Sequence, residues 1–132
     1  MDYLLDTNIC IHYFKGQFGV KERIAKVGFG NVAISEITLA ELLYGAEKSE
    51  QTEKNLKVVE DFAEKIEILP ILSSLKVYAK EKARLRSKGK IIGDLDLFIG
   101  STAIVNDMIM VTRNTSEFER LEGINIENWI DG

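Results

Sequence analysis

Tyr3-Leu4-Leu5-Asp6-Thr7-Asn8-Ile9 is the stretch of this sequence that decides the fold. An apolar run ends abruptly at an acid, two small polar residues follow, and an amphipathic run then begins. This order is typical of a core strand that ends at the edge of a sheet and leads into a helix. Ligands of open α/β sheets bind at the carboxyl ends of the strands. Asp6 therefore occupies a position suited to a functional acid, although an aspartate there is also an ordinary helix cap.

Hydrophobic periodicity predicts the remaining elements. The predicted helices span residues 8–15, 20–27, 37–47, 52–64, 73–87 and 95–106, and the later strands span 31–35, 66–69, 108–111 and 124–126. Residues 112–116 are predicted to form a polar loop after the strongest late strand. Strands that alternate with helices favour the α/β class, with a mostly parallel central sheet and helices on both faces.

The composition limits the chemistry that is open to this chain. Its 132 residues, 45% of them hydrophobic and 29% charged, are expected to form one globular domain over residues 1–132. Cys10 is the only cysteine and His12 the only histidine. A zinc cluster built from these residue types is therefore excluded, and a metal site built from carboxylates would favour Mg²⁺ or Mn²⁺. Acids interrupt the only early apolar run, and no segment approaches the ~20 apolar residues of a membrane span, so we expect a cytoplasmic protein without a membrane partner.

The charge of the chain is strongly polarised. The net charge is −4, which argues weakly against nucleic acid binding. Residues 76–90, however, hold seven basic residues and one acid. A helix with this pattern is either an ordinary solvated face or a surface that holds RNA phosphates, and the sequence leaves both open. The candidate RNA contacts in this segment are Lys80, Arg84, Arg86, Lys88 and Lys90.

Three further acids stand where helices would carry them towards the strand ends. Glu41 interrupts the apolar face of the third predicted helix, where a lone glutamate either reaches water at the edge of the face or needs a cation. Asp94 and Asp96 open the sixth predicted helix. We expect Asp94 to be the helix cap and Asp96 to lie in the first turn, at the same edge.

Polar residues also follow the late strand at 108–111. Thr112 and Asn114 are candidates for hydrogen-bonding support, and Glu117 is a possible fourth acid. An ordinary polar loop is the alternative for each of them. Three or four carboxylates drawn together repel one another unless they hold a divalent cation. Such a site suits phosphodiester cleavage, because the ion neutralises phosphate charge and activates water.

Four motifs, in this order, carry a resemblance to a known family. They are Leu-Leu-Asp-Thr-Asn at 4–8, Ile-Ser-Glu-Ile-Thr-Leu-Ala-Glu-Leu-Leu-Tyr-Gly at 34–45, Ile-Gly-Asp-Leu-Asp-Leu-Phe-Ile-Gly at 92–100, and Val-Thr-Arg-Asn at 111–114 with Glu117-Phe118 and a closing Glu-Asn-Trp at 127–129. Together they cover almost the whole chain. The sequence resembles the PIN-domain ribonucleases, and specifically the VapC-type toxins of bacterial toxin–antitoxin pairs. The resemblance implies a three-layer α/β/α fold.

The resemblance also implies roles for particular residues. Asp6, Glu41 and Asp96 would form the acidic cluster that binds Mg²⁺ or Mn²⁺, with Thr7 and Thr112 as supporting hydroxyls.

The chain departs from the family pattern near residue 114, where a fourth acid is common. Asn114 can bind or orient a group but cannot act as a base, and Glu117 is the candidate to compensate. Arg113 stands where a small polar residue is more usual and is a further candidate RNA contact. The resemblance implies an endoribonuclease toxin of a type II module that cuts structured RNA such as tRNA. It also implies a homodimer that a cognate VapB-type antitoxin inhibits.

Two other classes of phosphate-handling α/β domain fit these residues poorly. A receiver domain needs adjacent acids after its first strand, where this chain has Leu5-Asp6, and a haloacid-dehalogenase-like phosphatase needs a second acid where Asn8 stands. Both phosphate-handling folds are therefore disfavoured. A non-catalytic module that binds only RNA or the antitoxin stays open, and dependence of cleavage on metal would distinguish it from an enzyme.

Overall fold

Seven α-helices and five β-strands are present in residues 2–131, the part of the chain that this computed structural model describes. The strands are β1 (Tyr3–Leu5), β2 (Val32–Ser35), β3 (Glu67–Leu69), β4 (Ile109–Val111) and β5 (Asn125–Glu127). The helices are α1 (Thr7–Lys15), α2 (Val20–Val27), α3 (Glu36–Glu47), α4 (Thr52–Lys65), α5 (Leu75–Ser87), α6 (Asp94–Val105) and α7 (Thr115–Phe118). Two short 3₁₀ turns cover Phe29–Asn31 and Leu72–Ser74.

The five strands form one sheet in the order β3-β2-β1-β4-β5, and every neighbouring pair is parallel. β1 is central, with Tyr3 opposite Val32 of β2 on one side and Ile109 of β4 on the other. The strand order reverses between β1 and β4. Ligands bind in the crevice at such a reversal, outside the carboxyl ends of the two strands. Asp6 and Thr112, which directly follow β1 and β4, lie at this crevice.

The sheet separates two apolar cores, because successive side chains of a strand point to opposite faces. Leu5 packs in one core with Ile9, Ile34 and Phe62. Leu4 packs in the other core, whose members include Leu97, Ile99, Met110 and Phe118. Helices on both sides explain why the inner strands β1, β2 and β4 are largely apolar along their length rather than alternating. The predicted α/β class, the parallel sheet and the three-layer α/β/α arrangement are confirmed.

Element positions agree with the predictions to within one or two residues, apart from the short helix α7, which was not predicted. A 3₁₀ turn precedes α5, which begins at Leu75 and ends at Ser87, so Lys88 and Lys90 lie beyond the helix. Gly89 has a φ of 68°, a conformation that glycine adopts without strain, and it turns the chain away from the helix axis. The predicted loop at 112–116 is shorter than expected, because α7 begins at Thr115.

No helix within residues 2–131 has both the length and the apolar composition that a membrane crossing requires.

Candidate active site

Asp6 accepts hydrogen bonds from the start of α1 and from the end of β4. Its carboxylate is 6% exposed, Oδ1 accepts the Thr7 backbone N–H at 2.8 Å, and Oδ2 accepts the Thr112 hydroxyl at 2.8 Å. The first hydrogen bond caps α1 and the second links β1 to the end of β4. Burial raises the pKa of Asp6, the bonds from Thr112 and Thr7 lower it, and the nearby Glu41 and Glu117 raise it further. Asp6 is therefore both the cap of α1 and a buried candidate acid.

Glu41 lies on α3 and accepts a hydrogen bond from Thr7 of α1. The Thr7 hydroxyl oxygen is 2.6 Å from Glu41 Oε1, a short charge-assisted hydrogen bond. The same hydroxyl oxygen is 3.1 Å from the hydroxyl oxygen of Thr38, which is fully buried. Glu41 is half-buried, so it does not simply extend into water.

Thr38 is the residue of this cluster that the sequence reasoning missed. It lies three residues before Glu41 on the same helix, and side chains at that spacing share one face. This spacing, together with the polar position inside an apolar stretch, is the signal that could have identified it.

Asp96 lies in the first turn of α6, as predicted. Its pKa is raised to about 6, first by burial and then by the carboxylates of Asp6, Glu117 and Glu41, in that order. Electrostatic coupling of this kind requires the charges to lie near one another in a medium of low polarity. The four predicted acids therefore converge on the crevice between β1 and β4.

Asn114 connects the end of β4 to Glu117 on α7. Its backbone N–H donates to the Thr112 hydroxyl oxygen at 3.0 Å, and its side-chain Nδ2 donates to Glu117 Oε2 at 2.7 Å. Glu117 thus faces Asp6 and Asp96 from a third element, and its charge raises the pKa of both. The amide at residue 114 holds the fourth acid in place.

The chemistry of this cluster fits a hard divalent cation. None of the four acids forms an ion pair with a lysine or arginine in residues 2–131. Each carboxylate has lone pairs beyond those used in the hydrogen bonds described, and Mg²⁺ and Mn²⁺ prefer such oxygen ligands. Within the same residues, no three Asp, Glu, His or Cys side chains lie close enough to hold an ion as they stand. Binding would therefore draw the carboxylates closer together.

The expectation that Asp94 caps α6 is wrong. Gly93 occupies the cap position, and no side chain bonds to the free N–H groups of that end. The Asp94 carboxylate instead accepts hydrogen bonds from the Tyr78 hydroxyl and Lys82 Nζ of α5, both at 2.8 Å. These hydrogen bonds, with Lys82 the stronger influence, lower the pKa of Asp94. Tyr78 also stacks on Phe98 of α6, so these contacts pull the side chain of Asp94 across to α5.

The basic residues differ in how freely they could contact RNA. Arg84 binds within the protein: two of its nitrogens donate to the buried Glu81, at 2.7 and 2.9 Å, and it also donates to the Arg120 carbonyl oxygen at 2.6 Å. We therefore remove Arg84 from the predicted RNA contacts. Of the others, Lys80, Arg86, Lys88 and Lys90 are exposed.

Arg86 and Lys82 line a cavity of about 170 Å³ beside Gly93, at the start of the helix that carries Asp96. Arg113 is also exposed, although it pairs with Asp131 at 3.3 Å and lies over the ring of Phe18.

An apolar groove of about 450 Å³ lies between α1, α3 and α4. Its lining includes Ile11, Phe14, Leu42 and Val58, and Glu41 stands in it as well. The groove therefore joins an apolar surface to Glu41, one of the candidate acids.

Comparisons with known proteins agree with this fold. The PIN domain family model matches residues 3–124. The tRNA(fMet)-specific endonuclease VapC of Shigella flexneri is 39% identical over 131 residues, which cover 98% of each chain. Ribonuclease VapC2 of Haemophilus influenzae is 39% identical over 132 residues, which cover 98% of this chain and 99% of that one. The solved structure of DNA-bound VapBC from Salmonella typhimurium matches with a TM-score of 0.90 at 39% identity, over 98% of both chains. The chain therefore belongs to the PIN-domain family and, within it, to the VapC-type ribonucleases.

Proposed function

We propose that this chain is a metal-dependent endoribonuclease toxin that cuts structured RNA in the cytoplasm. In this proposal Asp6, Glu41 and Asp96 hold Mg²⁺ or Mn²⁺. One observation carries it: burial, and then the charges of Glu41 and Glu117, raise the pKa of both Asp6 and Asp96, and no lysine or arginine in residues 2–131 pairs with any of the four acids. A cation is the simplest way to compensate such a cluster.

When bound, a divalent ion would neutralise charge on the scissile phosphate and lower the pKa of water. The protein's own part is to hold the acids in position. Thr112 fixes Asp6, Thr7 fixes Glu41, and Asn114 fixes Glu117. We assign Glu117, the only one of the four acids carried by α7, the role of orienting the attacking water.

The substrate we propose is tRNA. The Shigella relative carries the name of a tRNA(fMet)-specific endonuclease. The exposed cations at the end of α5 suit a phosphate backbone because they are positively charged. The acidic remainder of the chain would repel RNA, so this segment is the favoured place for it to bind. Arg86, Lys88 and Lys90, with Lys80 and Arg113, are the contacts to examine first.

Metal dependence and one matched pair of variants test this proposal. We expect the purified protein to cut tRNA with Mg²⁺, to stop with EDTA, and to recover when Mg²⁺ is restored. Glu41→Gln keeps an oxygen that accepts the Thr7 hydrogen bond but loses the charge, so the rate should fall on the order of 100-fold. Glu47→Gln makes the same change at an exposed position of the same helix and should leave the rate unchanged. Cleavage that persists in EDTA, or equal rates for both variants, would contradict the proposal.

A non-catalytic RNA-binding module is the second candidate. It is favoured by one observation, that no three of the acids within residues 2–131 lie within ligating distance of one ion as they stand. Tight RNA binding without cleavage at any Mg²⁺ or Mn²⁺ concentration would support this candidate over the enzyme.

We also propose that a segment of a cognate VapB-type antitoxin occupies the groove between α1, α3 and α4. Related structures are VapBC complexes, and the groove here ends at Glu41, so its occupant would also reach the candidate site. Val58→Glu places a charge in the groove and should weaken antitoxin binding while RNA cleavage continues. Ala79→Glu, on an exposed face of α5 outside the groove, is the control. Equal antitoxin affinity for both variants would contradict this location.

We also propose that the chain forms a homodimer. Several large apolar side chains are exposed, among them Leu72 at 77% and Ile91 at 66%. Burial in a homodimer would remove this surface from water. Sedimentation of the purified chain tests it, and a monomer at all concentrations would contradict it.

A further inference from the structure

Three hydroxyl-bearing residues connect the start of α3 to Glu41. Ser35 caps α3 by accepting the Thr38 backbone N–H at 3.1 Å, which fixes Thr38 in the first turn of the helix. The Thr38 hydroxyl oxygen lies 3.1 Å from the Thr7 hydroxyl oxygen, and that atom lies 2.6 Å from Glu41 Oε1. Ser35 and Thr38 are both fully buried, so bulk water does not reach this part of the chain of contacts.

The number of available protons decides which hydroxyl donates in each of these hydrogen bonds. The Thr7 hydroxyl has a single proton, and a carboxylate oxygen can only accept. The 2.6 Å contact therefore uses the proton of Thr7. The contact between the two threonines then requires the proton of Thr38, which donates to Thr7. The relay runs from Thr38 to Thr7 to Glu41.

We propose that Thr38 is a positioning residue for the candidate active site, acting on Glu41 only through Thr7. The bond from Thr38 occupies a lone pair of the Thr7 hydroxyl and so directs the proton of that hydroxyl at the carboxylate. Without it, the Thr7 hydroxyl is free to rotate towards other acceptors. A second hydrogen bond in line also strengthens the first by polarising it. This inference rests on the proposed function, because it concerns the same acids.

Removing the hydroxyl of Thr38 while keeping its shape tests the relay. Thr38→Val is isosteric and lacks the hydroxyl, whereas Thr38→Ser keeps the hydroxyl and lacks the methyl group. We expect Thr38→Val to lower kcat about five- to tenfold with KM unchanged, which corresponds to one hydrogen bond. Thr38→Ser should restore kcat to within about twofold of the wild type, as hydrogen bonding rather than packing requires.

Two measurements separate positioning from stability. Thr102 is also a fully buried helix threonine, but its hydroxyl donates to the Phe98 carbonyl oxygen, so Thr102→Val makes the same chemical change outside the relay. It should leave kcat unchanged. Calorimetric titration with Mg²⁺, without RNA, should show a several-fold weaker affinity for Thr38→Val and a normal one for Thr38→Ser. If Thr38→Val does not fold, Thr38→Ala replaces it in every comparison.

A double-mutant cycle tests the path of the effect. Because Thr38 acts through Thr7, Thr7→Val with Thr38→Val should be no worse than Thr7→Val alone, in kcat and in Mg²⁺ affinity. Additive losses would overturn the relay. So would a normal kcat for Thr38→Val, or a loss shared by Thr38→Ser, which would indicate packing. A wild type that binds Mg²⁺ but does not cut RNA would count against the proposed function alone, and one that does neither would overturn both.

Discussion

Asp6 shows how one carboxylate can be both a structural and a candidate functional group. From the sequence, helix cap and site acid were alternatives. The structure separates them by atom, since Oδ1 accepts the Thr7 N–H and Oδ2 accepts the Thr112 hydroxyl. A sequence pattern identifies the residue type and its place in the chain, but not how many partners converge on it. Thr38 was missed for this reason, because its partner Thr7 is 31 residues away.

The raised pKa of Asp96 predicts how stability depends on pH in the absence of metal. The folded protein holds this proton up to about pH 6, whereas the unfolded chain releases it near 3.8. Stability therefore falls as pH rises from about 3.8 to about 6, and the loss is complete once the folded site is charged. We expect Asp96→Asn to remove part of this loss and to raise the unfolding midpoint at pH 7.5 by on the order of 5 °C relative to the wild type.

Thermal melts at pH 5 and 7.5 measure this effect. Mg²⁺ should raise the wild-type midpoint more at pH 7.5 than at pH 5, because ligation requires deprotonated acids. Asp107→Asn makes the same change at an exposed position just beyond α6 and should not alter the pH dependence. An identical pH dependence for wild type and Asp96→Asn would show that the acids are not coupled as described.

Helix α5 illustrates what periodicity can and cannot reveal about an element. The sequence placed this helix correctly to within two residues and marked it as cationic. It did not reveal that the cations differ. Arg84 binds the buried Glu81, whose carboxylate also accepts the backbone N–H of Glu122 on the α7–β5 connection. Tertiary contacts of this kind join residues far apart in the chain, so they leave no local pattern. The same limit explains the misassigned cap at Asp94, which α5 draws away from its own helix.

Arg84 and Arg86 form a matched pair for testing this distinction. Glu81 is only 4% exposed, and its hydrogen bond to Arg84 is the main reason that its pKa is lowered. Arg84→Met would leave a buried charge without its partner, and the unfolding midpoint should fall by several degrees. Arg86→Met should barely change that midpoint but should weaken tRNA binding, with a smaller salt dependence. Thermal melts and binding titrations check both variants. Equal midpoints, or weaker RNA binding only for Arg84→Met, would contradict this assignment.

For the molecule as a whole, the strand order explains why these particular acids meet. β1 is the central strand, and the order reverses between β1 and β4, so the ends of both strands open onto one crevice. Asp6 comes from the end of β1, Glu41 from α3, Asp96 from α6 and Glu117 from α7. The alternation of elements made the parallel sheet predictable from sequence. The order of its strands, and hence the convergence of acids up to 111 residues apart, came only from the three-dimensional structure together with the resemblance.

The most direct test of the central claim compares RNA ends after brief expression of the wild type and of Asp6→Asn. The substitution keeps the size of the side chain and one oxygen acceptor, so the purified variant should melt within a few degrees of the wild type. We expect the wild type to produce new, discrete 5′ ends in tRNA and the folded Asp6→Asn protein to produce none. If the folded variant generates the same ends at the same rate, Asp6 is not part of a catalytic metal site and the account fails.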